Sequence, residues 1–538
     1  MEKSADRRPS ARGWFVQTGV CLVSQYTLPW KPKRDVPMNP ITGLIAGIAR
    51  VIAAIATPIL TNIPGIILIS AVVTVCLGVW AHALLFAYVD RYILAEAVAM
   101  GMSAGAYGLT PSQIGVILES NGGIGADMAG ISKYLLYPVQ FGFVRDLIGL
   151  GALVGLFQVV PAYFIWWERK VAGRIQSRLG PMRVGGWHGW AQSVADGIKL
   201  INKEDLVPAQ ADGALFRAAP YFAVIPSLMA FIALPFGMNY VFRELDVALV
   251  FILAMLGVEV FAVILAGWAS NNKWSVYGAM REACQMVSYE IPLGLALLIP
   301  VVSVGSLSLR EISEAQAGGW FHWLAFSNPF CFVAFISYFI ASLASCKRAP
   351  FDLPESESEL VAGFLTEYSG LRWALFFLAE YAAMFVVAVL ASLLFLGGWN
   401  SFLPASWFDG LGDTWVADGI RGLFVGGPVW LFLKAVFMVY VQMWVRWTLP
   451  RIRIDQVLYC CIQVLLPLTM FLLLGATLWT WASTSESPAW LMFAKVVNWV
   501  CGLIGMVFAL GFPVIAAYGL YHRRRLVGNL VVDALPGS

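Results

Sequence analysis

Five carboxylates crowd one short stretch. Asp352, Glu355, Glu357, Glu359 and Glu367 fall within SCKRAPFDLPESESELVAGFLTEYSG, Ser345 to Gly370, between two hydrophobic runs. The chain holds 32 acidic residues in 538, so chance would place about one in the 16 positions from 352 to 367. Pro354 suits the first position of a helix, where its missing N–H costs nothing. Glu355 and Glu359 would then share a face, with Glu357 pointing elsewhere. Acids in a first turn complement the helix dipole by about 0.3–1 kcal/mol each. That accounts for Glu355 and Glu357, but not for Glu359, Glu367 or Glu380, which fall later. Glu259 and Glu290 lie inside the apolar runs that flank Lys273, Arg281 and Glu282. A carboxylate in hydrocarbon costs several kcal/mol unless it is paired, hydrated or neutral. Desolvation favours its neutral form, so it can hold and release a proton near neutral pH. The chemistry implied is proton transfer at and within a membrane, with a structural ion pair as the alternative for Glu290.

Two basic clusters accompany these acids. WWERKVAGRIQSRLGPMRVGGWHGWAQSVADGIKLINKEDLVP, Trp166 to Pro208, sets Glu168, Arg169 and Lys170 where a span meets water. Asp196, Lys199, Lys203, Glu204 and Asp205 follow, after a turn at Gly180-Pro181. Val445 to Gln456 carries Arg446, Arg451, Arg453 and Asp455 at the end of another span. A solvated loop with snorkelling anchors, or charge that sets topology, is the plainer reading of both.

These residues need a membrane-embedded helix bundle to position them. The chain is 59% hydrophobic and 12% charged, with mean hydropathy +0.75 and 22 Trp suited to interfacial belts. Ten runs are long enough to span: 63–89, 147–167, 220–240, 247–269, 284–305, 328–345, 373–396, 428–448, 457–482 and 490–520. With 168–219 placed inside, the inner loops beyond the second run hold 19 Lys/Arg, against Arg243, Arg310 and Arg421 outside. The acidic stretch 346–372 is then an inner loop. The eight Cys are scattered and the four His are far apart, so neither an iron–sulfur nor a His-built metal or haem site is expected. There is no Walker A run and no persuasive dinucleotide fingerprint, and nucleic-acid binding is not indicated. Any redox groups must sit on partners.

Seven runs together resemble one family: ERKVAGRIQSRLGPMRVG, ADGIKLINKEDLVP, LAGWASNNKW, SYEIPLGLAL, KRAPFDLPESESELVAGFLTEYSG, FFLAEY and TLPRIRIDQ. They follow the order of the quinone-chamber membrane subunit of respiratory complex I, known as the H subunit, and cover about residues 147–480. The resemblance implies an all-α polytopic bundle of eight core spans in 147–482. An extension of 1–146 with one added span precedes the core, and 483–538 follows it with another. It implies a subunit of a proton-pumping NADH:quinone oxidoreductase, with quinone as substrate and with NADH, FMN and iron–sulfur clusters confined to partner subunits. The expected partners are soluble iron–sulfur and quinone-site subunits, small membrane subunits and antiporter-like subunits. The expected location is a bacterial inner membrane rather than a mitochondrial one.

By matching position, Arg169, Arg178, Arg183, Phe377, Arg446 and Arg451 are the expected quinone-tunnel residues. Glu259, Glu290, Asp352, Glu355, Glu359, Glu367 and Glu380 form the expected acidic path. The chain departs from the family pattern at Ser345, where Glu is usual, and at Glu282, where Ala is usual. Glu282 is read as a partial replacement for the missing carboxylate. Trp274 and Met182, where Tyr and Asn are frequent, are read as tolerable. The rival readings are the membrane subunit of an energy-converting hydrogenase-type complex, a stand-alone ion transporter and a passive anchor.

Overall fold

The computed structural model describes residues 142–484, apart from 186, 238–240, 244 and 403–426, together with some positions between 490 and 503. Among these residues the long elements are helices: α1 Gly142–Ile175, α2 Gln192–Asn202, α3 Gly213–Ile232, α4 Ala248–Ala269 and α5 Lys273–Val304. The short helices α6 Leu309–Ala315 and α7 Leu324–Ser327 lead to α8 Pro329–Ser345. After α9 Glu357–Leu360 come α10 Gly370–Phe395, α11 Pro428–Thr448 and α12 Ile454–Tyr459. A π-helical turn, Cys460–Leu465, joins α12 to α13 Leu466–Thr484 as one rod. Seven of these helices are long and apolar enough to cross a bilayer, and α8 is a shorter apolar eighth. They coincide with the second to ninth of the ten runs read from the sequence. The run 63–89 lies outside the described residues, and most of 490–520 does too.

Side-chain caps start several spans. Asp212 accepts from Ala214 N at 3.1 Å, Asn272 from Trp274 N at 3.0 Å and Asn328 from Phe330 N at 3.0 Å. Pro329 occupies the tolerated first turn of α8. Pro161, Pro220, Pro226, Pro292 and Pro300 sit inside helices, which packed membrane spans allow.

Helix α10 is the hub. Its apolar window is 78% buried, against 28–44% for the other long spans. It packs on α1, α3 and α11, where Phe385 meets Phe164 and Phe231 with ring centroids 5.9 Å apart in each case. Where α10 ends, the Lys434 ammonium of α11 donates to the carbonyls of Leu396 (2.6 Å), Gly398 (2.9 Å) and Asn400 (2.6 Å). The same ammonium lies 4.0 Å from the Trp323 ring centroid.

The expected helix start at Pro354 does not form. Residues 353–355 turn instead, and α9 spans only Glu357–Leu360 before Val361 adopts φ 65°. The cause is close packing of the segment on α5. A Cβ on Gly278 would lie 2.7 Å from Phe364 N and 2.8 Å from Gly363 Cα, so only glycine lets the loop settle there. Glu355 and Glu359 therefore do not share a helical face: Glu355 is half-buried and Glu359 exposed.

Candidate functional site

A cleft of about 590 Å³ opens at the end of the bundle where α1 finishes, α10 begins and α11 finishes. Glu168, Arg169, Ala172, Phe377, Tyr381 and Arg446 line it from these helices, and Arg178, Leu179 and Pro181 close it from the loop. The wall holds its place because the chain doubles back on α1. A Cβ on Gly173 would meet Gly180 N at 2.8 Å. Arg169 of α1 pairs with Asp196 of α2, which seats α2 beside the cleft, and Gln192, one turn back on α2, donates to the same carboxylate at 2.9 Å. Arg372 of α10 holds Asp205 at 2.7 Å.

The carboxylate of Glu168 forms the floor. It accepts from Arg446 Nη1 at 2.5 Å and from the Tyr381 hydroxyl at 2.6 Å. Arg348 Nη1 approaches it at 3.4 Å, and Arg348 Nε lies 2.9 Å from Glu380. The guanidinium also stacks on the Tyr381 ring, 4.1 Å from its centroid. Arg348 is only 2% exposed and Glu380 6%, so this chain of charges runs from the open cleft into the interior. The residue before Arg348 extends it. Lys347 Nζ lies 3.0 Å from Glu259 of α4 and 3.6 Å from Glu282 of α5, and the Ser227 hydroxyl lies 3.4 Å from the other Glu259 oxygen. Each ionised side chain here has an opposite charge close by, as burial requires.

The residues expected at the cleft divide. Arg169, Arg178, Phe377 and Arg446 line it. Arg183 is exposed and is not among the lining residues, and Arg451 turns to Asp352 at 3.5 Å. The expected acids divide as well. Glu259 and Glu380 are buried in the charged chain, while Asp352, Glu355 and Glu367 are half-buried in the loop. Asn272 donates to Glu367 at 2.6 Å. Glu359 is exposed and pairs with Arg281 at 2.5 Å, a hydrogen bond that holds its carboxyl below the usual range. Glu290 is exposed on α5, with one oxygen 2.7 Å from where a Gly257 Cβ would stand.

Spacing along the chain does not single out Tyr381, Lys347 or Arg348, and it marks Glu168 only as a boundary charge. A signal is nonetheless present: Lys347-Arg348 abuts the acidic stretch, and Tyr381 follows Glu380 directly. Among the described residues, no group of three His, Cys, Asp or Glu is placed to hold a metal ion.

Burial raises the Glu355 carboxyl from 4.5 to about 7, and the nearby Asp352 carboxylate adds to the shift. The folded state therefore opposes ionisation of Glu355. That penalty is fully present above pH 7 and fades as pH falls through 7 toward the unfolded value of 4.5. Glu355→Gln is expected to flatten the stability–pH curve across this window, read as thermal inactivation at successive pH steps. A curve of wild-type shape in the variant would contradict the assignment.

A family model described as NADH dehydrogenase matches residues 148–477. The chain is 46% identical over 341 residues to the H subunit of the NADH-quinone oxidoreductase of Chlorobaculum parvum, covering 63% of this chain and 93% of that protein. Against the same subunit of Anaeromyxobacter dehalogenans it is 42% identical over 361 residues, covering 66% and 86%. Against that of Bacteroides thetaiotaomicron it is 42% identical over 338 residues, covering 63% and 91%.

Proposed function

Because the chain belongs to the NADH dehydrogenase family of membrane subunits, we propose that its cleft is one wall of a quinone site and that its buried charges couple quinone reduction to proton movement. The chain is a membrane subunit of NADH-quinone oxidoreductase, an enzyme complex. In the proposed reading it is a proton-pumping subunit of a bacterial inner membrane, which its similarity to bacterial relatives supports. The core is residues 147–482, flanked by 1–146 and 483–538.

One observation carries the reading: the carboxylate on the cleft floor, Glu168, is tied through Arg348 to Glu380 inside the bundle. The cleft has the size of a small-molecule site and mixes apolar walls with a few converging polar groups. Phe377 and Ile165 offer apolar surface to a quinone ring, while Tyr381 and the guanidinium groups offer hydrogen bonds to its oxygens. Reduction of a quinone creates negative charge or takes up protons. Either event alters the field at Glu168 and Arg348, and interacting acids then change protonation as a set. Electrons come from partner subunits that hold the NADH, FMN and iron–sulfur groups. Antiporter-like subunits beyond the small membrane subunits receive the effect.

Ala172 lines the cleft from α1. Ala172→Leu in the intact complex is expected to raise the quinone KM by about tenfold, the effect of roughly 1.4 kcal/mol of lost binding. Reduction of an artificial acceptor that bypasses quinone should stay at the wild-type rate. An unchanged quinone KM in an assembled variant would remove the quinone assignment from this cleft.

A further inference from the structure

Lys347 and Arg348 are neighbours in sequence, yet their buried surroundings differ in charge. Arg348 and Arg446 face Glu168 and Glu380, so those four charges balance. Lys347 faces both Glu259 and Glu282, leaving one carboxylate in excess. An uncompensated charge in such a place costs several kcal/mol, and the group takes its neutral form instead.

Geometry selects which of the two is neutral. Glu259 has Lys347 at 3.0 Å on one oxygen and the Ser227 hydroxyl at 3.4 Å on the other. Glu282 is 0% exposed, and neither of its oxygens has a hydrogen-bond partner; the ammonium stands 3.6 Å away. Gln285, one turn along the same helix face, donates its amide nitrogen to Ala344 O at 2.8 Å. Its own oxygen is buried and has no donor. A carboxylic acid at Glu282 supplies the O–H that such a pocket of acceptors lacks. The charged groups facing Glu282 are Glu259 of α4, Lys347 of the loop after α8 and Glu380 of α10, with Glu355 of the same loop also within electrostatic reach.

We infer that Glu282 is a proton-storage site: it holds a proton in the resting complex and gives it up when the neighbouring Glu168–Arg348–Glu380 set changes charge. The inference rests on the coupling role proposed for that set. In the step, the Glu282 O–H bond breaks and a proton passes to an acceptor carboxylate, either Glu259 or Glu380. Lys347 keeps its three protons and shifts toward the newly charged Glu282. No electrons move, and the sum of charges in the cluster is conserved when Glu259 is the acceptor.

The test uses the intact complex in proteoliposomes and carries Glu282→Gln, Glu282→Asp and, separately, Glu380→Gln. Glu282→Gln leaves Lys347 and Glu259 as a neutral pair, so the complex is expected to assemble. Redox-difference infrared spectroscopy should show a protonated-carboxyl band in the wild type that is missing from Glu282→Gln and restored, shifted, in Glu282→Asp. Protons moved per quinol formed should fall in Glu282→Gln, because the path loses a positioned proton donor. A carboxyl band and a stoichiometry both unchanged in Glu282→Gln would overturn the storage site, whatever Glu380→Gln does. Normal stoichiometry in Glu380→Gln would overturn the coupling reading itself.

Discussion

Arg348→Met is expected to remove the protein from the membrane. The guanidinium is buried at 2% exposure between Glu168 and Glu380, and the Tyr381 ring covers one face of it. Methionine fills much of the volume but leaves two carboxylates without their shared cation. Breaking one buried pair costs about 3–5 kcal/mol, a large part of the roughly 5–15 kcal/mol that keeps a domain folded. Arg446 still reaches Glu168, but the next cation near Glu380, Lys347, is already shared between Glu259 and Glu282. The measurement is the amount of this chain in washed membranes, together with native gels of the complex. Arg348→Lys separates charge from shape: an ammonium cannot span both carboxylates with a planar fork, so partial assembly is expected. Full assembly of Arg348→Met would show that the buried ion chain does not hold this end of the bundle.

The second large effect belongs to Glu168→Gln. Glutamine matches the carboxylate in shape but brings an NH₂ group to a place where Arg446, Tyr381 and Arg348 all donate. Charge-assisted hydrogen bonds are worth about 1.5–3 kcal/mol each. Losing the equivalent of one or two from the floor of the site predicts a fall in quinone reduction of about 100-fold. The complex should still assemble, because Glu380 continues to neutralise Arg348. Tyr381→Phe supplies the comparison: it deletes one donor, keeps the charge and is expected to cost less. Quinone reduction measured beside an acceptor that bypasses quinone separates damage at this floor from damage upstream. Normal quinone turnover in Glu168→Gln would mean that the floor carboxylate takes no part in the reaction.

The spans are legible in the sequence because their signal is collective. Twenty or so apolar residues in a row leave little choice of fold, and the helices from Asp146–Ile175 to Ile454–Thr484 lie where hydropathy places them. The acidic stretch is legible as a local excess of one residue type. Which charges go inside is not. Lys347 and Arg348 enter the topology count as loop charges facing water, yet both are buried, at 6% and 2% exposure. A count of basic residues sees only position along the chain, and burial depends on carboxylates 88 and 180 residues away. Glu290 is the opposite case: it sits mid-span, yet it is exposed on α5, with its carboxylate against Gly257 of α4. The turn at Pro354 escapes for a third reason. Local preference favours a helix there, and tight packing against Gly278 overrides it.

The cation that gathers the carbonyls of Leu396, Gly398 and Asn400 has a mechanical consequence. It moors one tip of α10 to α11, while Phe377, Glu380 and Tyr381 lie toward the opposite tip. The opposite tip is tied as well, by Arg372 to Asp205 and by Glu380 to Arg348, so the helix is tethered at both extremities. Charge appearing in the cleft would therefore pull on the ties at the Phe377 end, while the Lys434 mooring keeps the far end in place.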